Sequence, residues 1–331
     1  MSRSLSPVAV KVDGKRGGPA GLLSFDGFCR LLEQLPRLDE LHLAGSGEPL
    51  LHPRFFDMVR HAAARGIAVS TTTRLSVLNE KRAEECVKSG LRRMHVPLDA
   101  AGTRICDFSR SGAGHERMLR HLRFLTHARR EHCSATPHIS LGAVVMRGNL
   151  AQLPVLVRLA HEHGADALEV QQLADFVESN GLSTGRARVV KFVEAEALRD
   201  DDLERVERYF GEAQAVAQEL GFPRKLPGIV PRPALPAQEE AAVPARRLPG
   251  RCSWPWRGAY IAFSGEAKPC AVAAGVAGIG LGNAIREGVV KVWQNDASRR
   301  FRDRLASADP LEICRVCPVY RGTADDVPKT P

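Results

Sequence analysis

From Ser24 to Gln171 the hydrophobic period switches back and forth between about two and about 3.6 residues, and this alternation restricts the fold more than any other feature of the chain. Ser24 stands as an N-cap, with Asp26 in the first turn and Phe28, Leu31, Leu32 and Leu35 on one apolar face up to Pro36. A strand at Glu40–Leu43 follows. Pro53 then opens a helix through Ala64, stopped at Gly66, and Ile67–Thr73 is rich in β-branched residues. The pattern continues with a helix from Asn79 to Gly90, a strand at Arg93–Leu98, a helix at His115–Glu131, a strand at His138–Met146, a helix at Leu150–His163 and a strand at Ala167–Gln171. Strands that alternate with helices in series predict a parallel sheet wound by right-handed crossovers, and hence an α/β fold. Gly142 inside its strand marks either a close approach to a ligand or packing against a helix.

The pattern breaks at Ala174, after which Asp202–Leu220 is the one firm helix before a segment with seven prolines between Phe222 and Gly250. Such density opposes helix and favours an extended tether. The expected organisation is a barrel-like core over 1–174, a helix and Pro-rich linker over 175–250, a small domain over 251–320 and a tail over 321–331.

Eight cysteines in a chain without an export signal point to thiols or metal rather than a disulfide scaffold. Four of them, Cys252, Cys270, Cys314 and Cys317, lie in RCSWPW, GEAKPC and CRVC, and four thiolates complete a tetrahedral set. Tyr260–Phe263 reads as one limb of a hairpin turned at Gly265, and Trp293, Phe301 and Leu305 read as one helix ahead of the CxxC. Spacing alone leaves structural zinc and an iron–sulfur cluster both open. Cys29, Cys86, Cys106 and Cys133 have no partner at ligand spacing and are expected as small buried thiols.

The run Leu41-His42-Leu43-Ala44-Gly45-Ser46-Gly47-Glu48-Pro49 reads as a strand entering a tight turn, with Glu48 at the strand's C-terminal edge. In a parallel barrel that edge is where ligands sit. An ordinary strand-to-helix turn with a solvated glutamate explains the glycines equally well.

The string GSGEPLLHP, with GIAVSTTT, MHVPLD and the cysteine-rich tail, resembles the radical S-adenosylmethionine (SAM) family, in members with a C-terminal SPASM-type domain. The resemblance runs from about Leu23 to Tyr320 and implies an incomplete parallel (β/α) barrel of the radical SAM type with a small C-terminal iron–sulfur, SPASM-like domain. It implies that Gly45, Gly47 and Glu48 meet the amino and carboxylate ends of SAM, with Glu48 toward the ammonium. It also implies that Arg110 helps to hold the cofactor's carboxylate, a task that a surface-loop arginine need not have. The spacing from Cys252 through Gly265 to Cys270, with CxxC downstream, is similar to the single-cluster form and implies one auxiliary [4Fe–4S] cluster rather than zinc.

The chain departs from the family in three places. The CxxxCxxC that holds the catalytic cluster is absent, Thr72-Thr73-Arg74 replaces the usual Thr-Asn-Gly, and Pro97-Leu98-Asp99 replaces Ser-Leu-Asp. Residues 1 to 22 are expected as the loop that normally follows the catalytic cysteines; a first strand at Val8–Val12 whose cysteines are lost is the other reading. The resemblance implies a peptide-modifying or cofactor-maturing protein, with a peptide or protein substrate and, if active, a flavodoxin- or ferredoxin-type reductant. A catalytically inactive barrel that binds a peptide or partner above a structural metal tail is the rival.

No run approaches the roughly 18 apolar residues of a membrane helix, and no signal-peptide core is present, so a cytoplasmic protein without a membrane partner is expected. The net charge of +9 comes from arginines scattered through helices, with a basic run from Arg117 to His132. Aromatic residues do not interleave with it, which argues against nucleic acid.

Overall fold

The computed structural model describes residues 8–11, 21–44, 48–98, 113–173, 186–225, 252–276, 278–315 and 317–321. Its sheet has strands β1 (Val8–Lys11), β2 (Glu40–Ala44), β3 (Ala68–Thr72), β4 (Leu91–Pro97), β5 (His138–Val145), β6 (Ala167–Gln172), β7 (Arg224–Lys225), β8 (Tyr260–Ala262), β9 (Glu266–Lys268) and β10 (Gly282–Asn283). They lie in the order β10-β9-β8-β1-β2-β3-β4-β5-β6-β7. β1 through β7 pair in parallel, as expected of an incomplete barrel.

Helices α1 (Phe25–Glu33), α2 (Phe55–Ala64), α3 (Glu80–Lys88), α4 (Ala113–Glu131), α5 (Leu153–Glu162), α6 (Arg186–Glu196) and α7 (Leu203–Glu219) accompany these strands. Local chemistry sets their starts. The Ser24 hydroxyl accepts from the Gly27 N–H at 3.0 Å, and the Asn79 side chain accepts from the Arg82 N–H at 2.9 Å. One face of each of β2 to β6, including Leu41 and Leu43 on β2 and Met94 and Val96 on β4, joins the helices' apolar residues in a single core, with Ile261 of β8 and Ala267 of β9. Arg129 on α4 grips Asp166 with two hydrogen bonds of 2.6 and 2.9 Å, and Asp166 also accepts from the Ile139 N–H, tying α4 to the start of β5.

Four expectations need correction. Val8–Lys11 is a strand in register with Leu41–Ala44, so residues 1 to 22 are not simply a loop beyond the catalytic cysteines. Pro49–Leu51 forms a short 3-10 turn and α2 begins at Phe55, two residues after Pro53. Helix α6 was not apparent in the sequence, since its apolar residues make only a weak stripe among charged ones. The tail helix expected around Trp293, Phe301 and Leu305 is two helices, α10 (Val289–Gln294) and α11 (Asp296–Ala306), because Asn295 caps the second through the Ser298 N–H. They follow α8 (Trp254–Arg257) and α9 (Ala284–Glu287) and precede α12 (Glu312–Arg315) and α13 (Pro318–Arg321). The Pro-rich stretch from residue 226 to 251 lies outside the described residues.

The tail is stitched to the barrel rather than hung from it. β8 pairs in parallel with β1, and β9 and β10 extend that edge in antiparallel. Gly265 turns the β8–β9 hairpin at a φ of 84°, where a side chain would be strained and would run into Asn283.

Candidate functional site

The strand-end carboxylate, Glu48, sits just beyond β2 and is wholly engaged by the chain itself. Oε1 accepts from the Thr73 hydroxyl at 2.5 Å and from the Leu50 N–H at 3.2 Å. Oε2 accepts from the Arg74 N–H at 3.0 Å and from the Ser76 hydroxyl at 3.3 Å. A carboxylate offers about four lone-pair positions. An incoming ammonium would therefore have to displace a donor supplied by the segment after β3, the one whose sequence departs from Thr-Asn-Gly. Gly45, Gly47 and Arg110, expected beside Glu48, lie outside the described residues.

Below that mouth, the face of the sheet turned away from the helices carries a polar row that sequence reasoning did not single out. His42 on β2 hydrogen-bonds through Nδ1 to the Ser70 hydroxyl at 2.9 Å and through Nε2 to Thr72 at 3.2 Å. Burial, with a smaller contribution from the charge of His95, pushes the His42 imidazole down to about 4 from its ordinary 6.5. His95 on β4 places Nδ1 3.1 Å from the Ser140 hydroxyl on β5 and 3.7 Å from Glu169 Oε2 on β6. Gly142 makes room for that ring: a Cβ there would lie 2.3 Å from both Cε1 and Nε2 of His95. The available signal was the period of two, since His42, Ser70, Thr72, His95, Ser140 and Glu169 all occupy alternate positions on one strand face.

In the tail, Cys252, Cys270, Cys314 and Cys317 line one recess together with Pro255, Phe301 and Ile313. The hairpin and the loop before α8 bring the first two, and α12 with the residue before α13 brings the others. Burial pushes the Cys270 thiol up to about 11, although N–H groups of Ala273 and Val272 donate to its sulfur. Burial and then the neighbouring Cys270, Cys252 and Cys317 push Cys314 up to about 12. Thiols that resist ionisation because they crowd together in an apolar recess are the set that a cationic centre would convert to thiolates. Among the described residues, no three His, Cys, Asp or Glu side chains draw close enough to hold one metal ion. The four thiols share one recess, the placement that either a zinc ion or a cluster with one cysteine per corner requires. Of the remaining cysteines, Cys86 is buried and Cys29 half-buried as small thiols, whereas Cys133 is exposed, contrary to expectation. Cys106 lies outside the described residues.

Comparison with known proteins accords with both regions. Residues 10–149 match the model of the radical SAM superfamily, and residues 252–318 match SPASM, an iron–sulfur cluster-binding domain. The chain is a radical SAM protein with a C-terminal SPASM domain. The two domains bring [4Fe–4S] clusters and SAM as the cofactors of this family. The chain is 29% identical over 160 residues to a tungsten-containing aldehyde ferredoxin oxidoreductase cofactor-modifying protein of Pyrococcus furiosus, a match spanning 46% of this chain and 44% of that protein. It is 24% identical to a PqqA peptide cyclase of Streptomyces rochei over 84% of this chain and 68% of the cyclase. The radical SAM/SPASM chain is thus related to peptide-modifying and cofactor-maturing proteins. Among solved structures, Streptococcus suis SuiB bound to its precursor peptide SuiA superposes with a TM-score of 0.64 at 16% identity, covering 97% of this chain and 71% of SuiB. That likeness fixes the fold. No helix among the described residues is long and apolar enough to cross a membrane.

Proposed function

We propose that this radical SAM/SPASM chain holds one auxiliary [4Fe–4S] cluster on Cys252, Cys270, Cys314 and Cys317, and that its barrel binds a peptide or a partner protein without cleaving SAM. The core of the proposal is residues 1–174, with the cluster domain over 251–320. One observation carries the reading. β1 occupies the first barrel position, so the connection to α1, Val12 to Ser24, is the place where the family carries CxxxCxxC, and its sequence VDGKRGGPAGLLS has no cysteine. The saturation of Glu48 by four donors of the chain supports it from the other side of the family's SAM site.

The four thiols fit the auxiliary group: they share one recess, and backbone N–H groups already point at the Cys270 sulfur. When bound, such a cluster would supply a one-electron donor or acceptor, each of its irons being closed by one cysteine. The chain's own part is to bury it, with Phe301 and Ile313 in the wall of the recess to keep water from the sulfurs. Relatives whose names describe peptide cyclisation, and SuiB with its precursor peptide, make a peptide the first partner to test.

The experiment is anaerobic reconstitution followed by iron, sulfide and zinc analysis, with SAM and dithionite added to look for 5'-deoxyadenosine. About four irons and four sulfides per chain, with broad absorption at about 400 nm and no 5'-deoxyadenosine, is the expected result. Cys270→Ala should abolish the absorption and Cys133→Ala should leave it. Stoichiometric zinc without sulfide would overturn the cluster assignment. About eight irons with 5'-deoxyadenosine formation would instead restore an active enzyme, dithionite standing in for a flavodoxin- or ferredoxin-type reductant.

A further inference from the structure

We propose that the outer face of α4 is a docking site for an acidic peptide, whose carboxylates pair with Arg117, Arg120, Arg123 and Arg130. The inference rests on the reading of the barrel as a peptide binder and adds to it the surface used and the chemistry of the segment bound there.

The observation that carries it is a contrast in how arginines are matched. On α2, α5 and α7 every arginine reaches a carboxylate: Arg60 meets Asp57 and Glu85, Arg158 meets Glu219, Arg205 meets Asp202 and Arg208 meets Glu212. α4 carries five arginines, and only Arg129, which turns inward to Asp166, does the same. Arg117, Arg120, Arg123 and Arg130 are exposed and meet no carboxylate among the described residues. Of the two acids on the helix, Glu131 is taken by His127 at 3.2 Å, which leaves Glu116 among four guanidinium groups.

The spacing makes this mismatch local. Steps of three and seven residues set the four arginines along one side of the helix, over about 20 Å at a rise of about 1.5 Å per residue. Like charges three residues apart weaken a helix. On α3, packed beside α4, Glu84 holds Lys88, Glu85 holds Arg60 and Glu80 lies in the first turn, so the neighbouring helix does little to relieve them. An extended peptide rises about 3.3 Å per residue, so six or seven residues with acidic side chains span the stripe. Pairing of this kind steers and orients an encounter, and salt weakens it. Single-stranded nucleic acid fits the face less well, because Phe124, the one phenylalanine of the helix, is half-buried and stacked on His121 rather than open to a base.

The test is fluorescence anisotropy on the cluster-loaded full chain, with a fluorescein-labelled peptide of alternating glutamate and alanine, about twelve residues long, against the same peptide with glutamine for glutamate. The glutamate peptide should bind at least about tenfold more tightly than the glutamine peptide, and less tightly as salt rises from about 50 to 200 mM. An exposed ion pair contributes roughly two- to fivefold, so Arg120→Glu, Arg123→Glu and Arg130→Glu combined should cost about tenfold or more. Arg286→Glu, Lys291→Glu and Arg300→Glu on the tail change the net charge equally and should cost less than about threefold. Should the α4 triple variant fail to fold, Arg120→Gln and Arg123→Gln, which keep the helix propensity, take its place, each with an expected loss of about two- to threefold.

Equal losses in the two triple variants would mark a general attraction to a basic chain, and equal binding of the two peptides would mark contact without charge; either overturns the proposal. So does a glutamate peptide that gives no anisotropy change at about 1 mM protein. A DNA duplex of equal charge that binds at least about tenfold more tightly than the peptide, and is lost with the same arginines, would assign the face to nucleic acid instead. α4 links β4 to β5, three strands along the sheet from β1, at whose other side the tail joins. Iron content and 5'-deoxyadenosine formation should therefore be unmoved by these arginines, and the cluster reading and the docking site fail separately. A peptide that binds the parent and the α4 variant alike would keep the barrel as a peptide binder and remove α4 as its site.

Discussion

Replacing Glu48 by alanine separates a structural clamp from a cofactor contact, because the two roles predict losses in different measurements. The side chain accepts four hydrogen bonds, but they do not weigh equally. The Arg74 N–H and the Ser76 hydroxyl are exposed and turn to water at little cost, whereas Thr73 is only 2% exposed, and its hydroxyl would be left inside without its acceptor. An orphaned buried donor costs about 1–3 kcal/mol, and losing the cap on Leu50 adds roughly 0.5 kcal/mol. The expected destabilisation is therefore about 2–3 kcal/mol, or a Tm lower by about 4–10 °C for a barrel of this size. Glu48→Gln keeps one acceptor oxygen and should lose about half as much. Thermal unfolding followed by circular dichroism, with and without SAM, is the assay. A Tm within about 1 °C of the parent would refute the clamp. A large loss of SAM affinity at unchanged Tm would return Glu48 to the ammonium role that the resemblance implies.

Two further outcomes follow from the inner wall. Folded His42 titrates at about 4 against an ordinary 6.5, so between those values the unfolded chain binds the extra proton; the stabilisation is complete above about pH 6.5 and declines by up to about 3 kcal/mol as pH falls to 4. Urea titrations at intervals across that window should show the slope in the parent and a flatter one in His42→Gln; equal slopes would show that His42 is not the group responsible. Gly142→Ala should force the His95 ring away from Ser140 at a cost of roughly 1–3 kcal/mol, and an unchanged urea midpoint would mean that the ring does not rest on this glycine.

How much was legible follows the physics of each signal. The parallel core was readable because its outward faces are apolar with the period of the element: Leu41 and Leu43, Val69, and Met94 and Val96 alternate with polar residues, and Ser24 and Asn79 begin helices by hydrogen bonds made within three residues. The four tail cysteines were readable because the CxxC is local and the other two are the only remaining cysteines near it in the chain. The inner wall was not, because its members come one or two from each strand and are joined only by register: His95 meets Ser140 across 45 residues and His42 meets Ser70 across 28. A histidine in a strand carries no mark of what stands opposite it. The role of Gly142 was half legible, as close approach, but the approaching group is a side chain of the neighbouring strand. β1 was left open because four apolar-alternating residues are too short a run to separate a strand from a loop; its pairing with both β2 and β8 decides the matter.

That pairing also changes how the two domains must be thought of together. A SPASM domain on a Pro-rich tether would load or lose its cluster without the barrel noticing. Here Ile261 on β8 pairs with Val10 on β1, the Val289 N–H donates to Gln34 of α1 at 2.8 Å, and Ile261, Ala267, Ala284 and Val289 belong to the same apolar core as Phe28 and Leu31. Metal binding to a small tail is folding energy for that tail, and a continuous sheet passes it to whatever the sheet includes. The first strand of the barrel is held on one side by β2 and on the other by β8, so its own placement depends on the integrity of the tail. The tail is therefore more than a carrier of its own cysteines: it supplies the edge against which the first strand of the barrel folds.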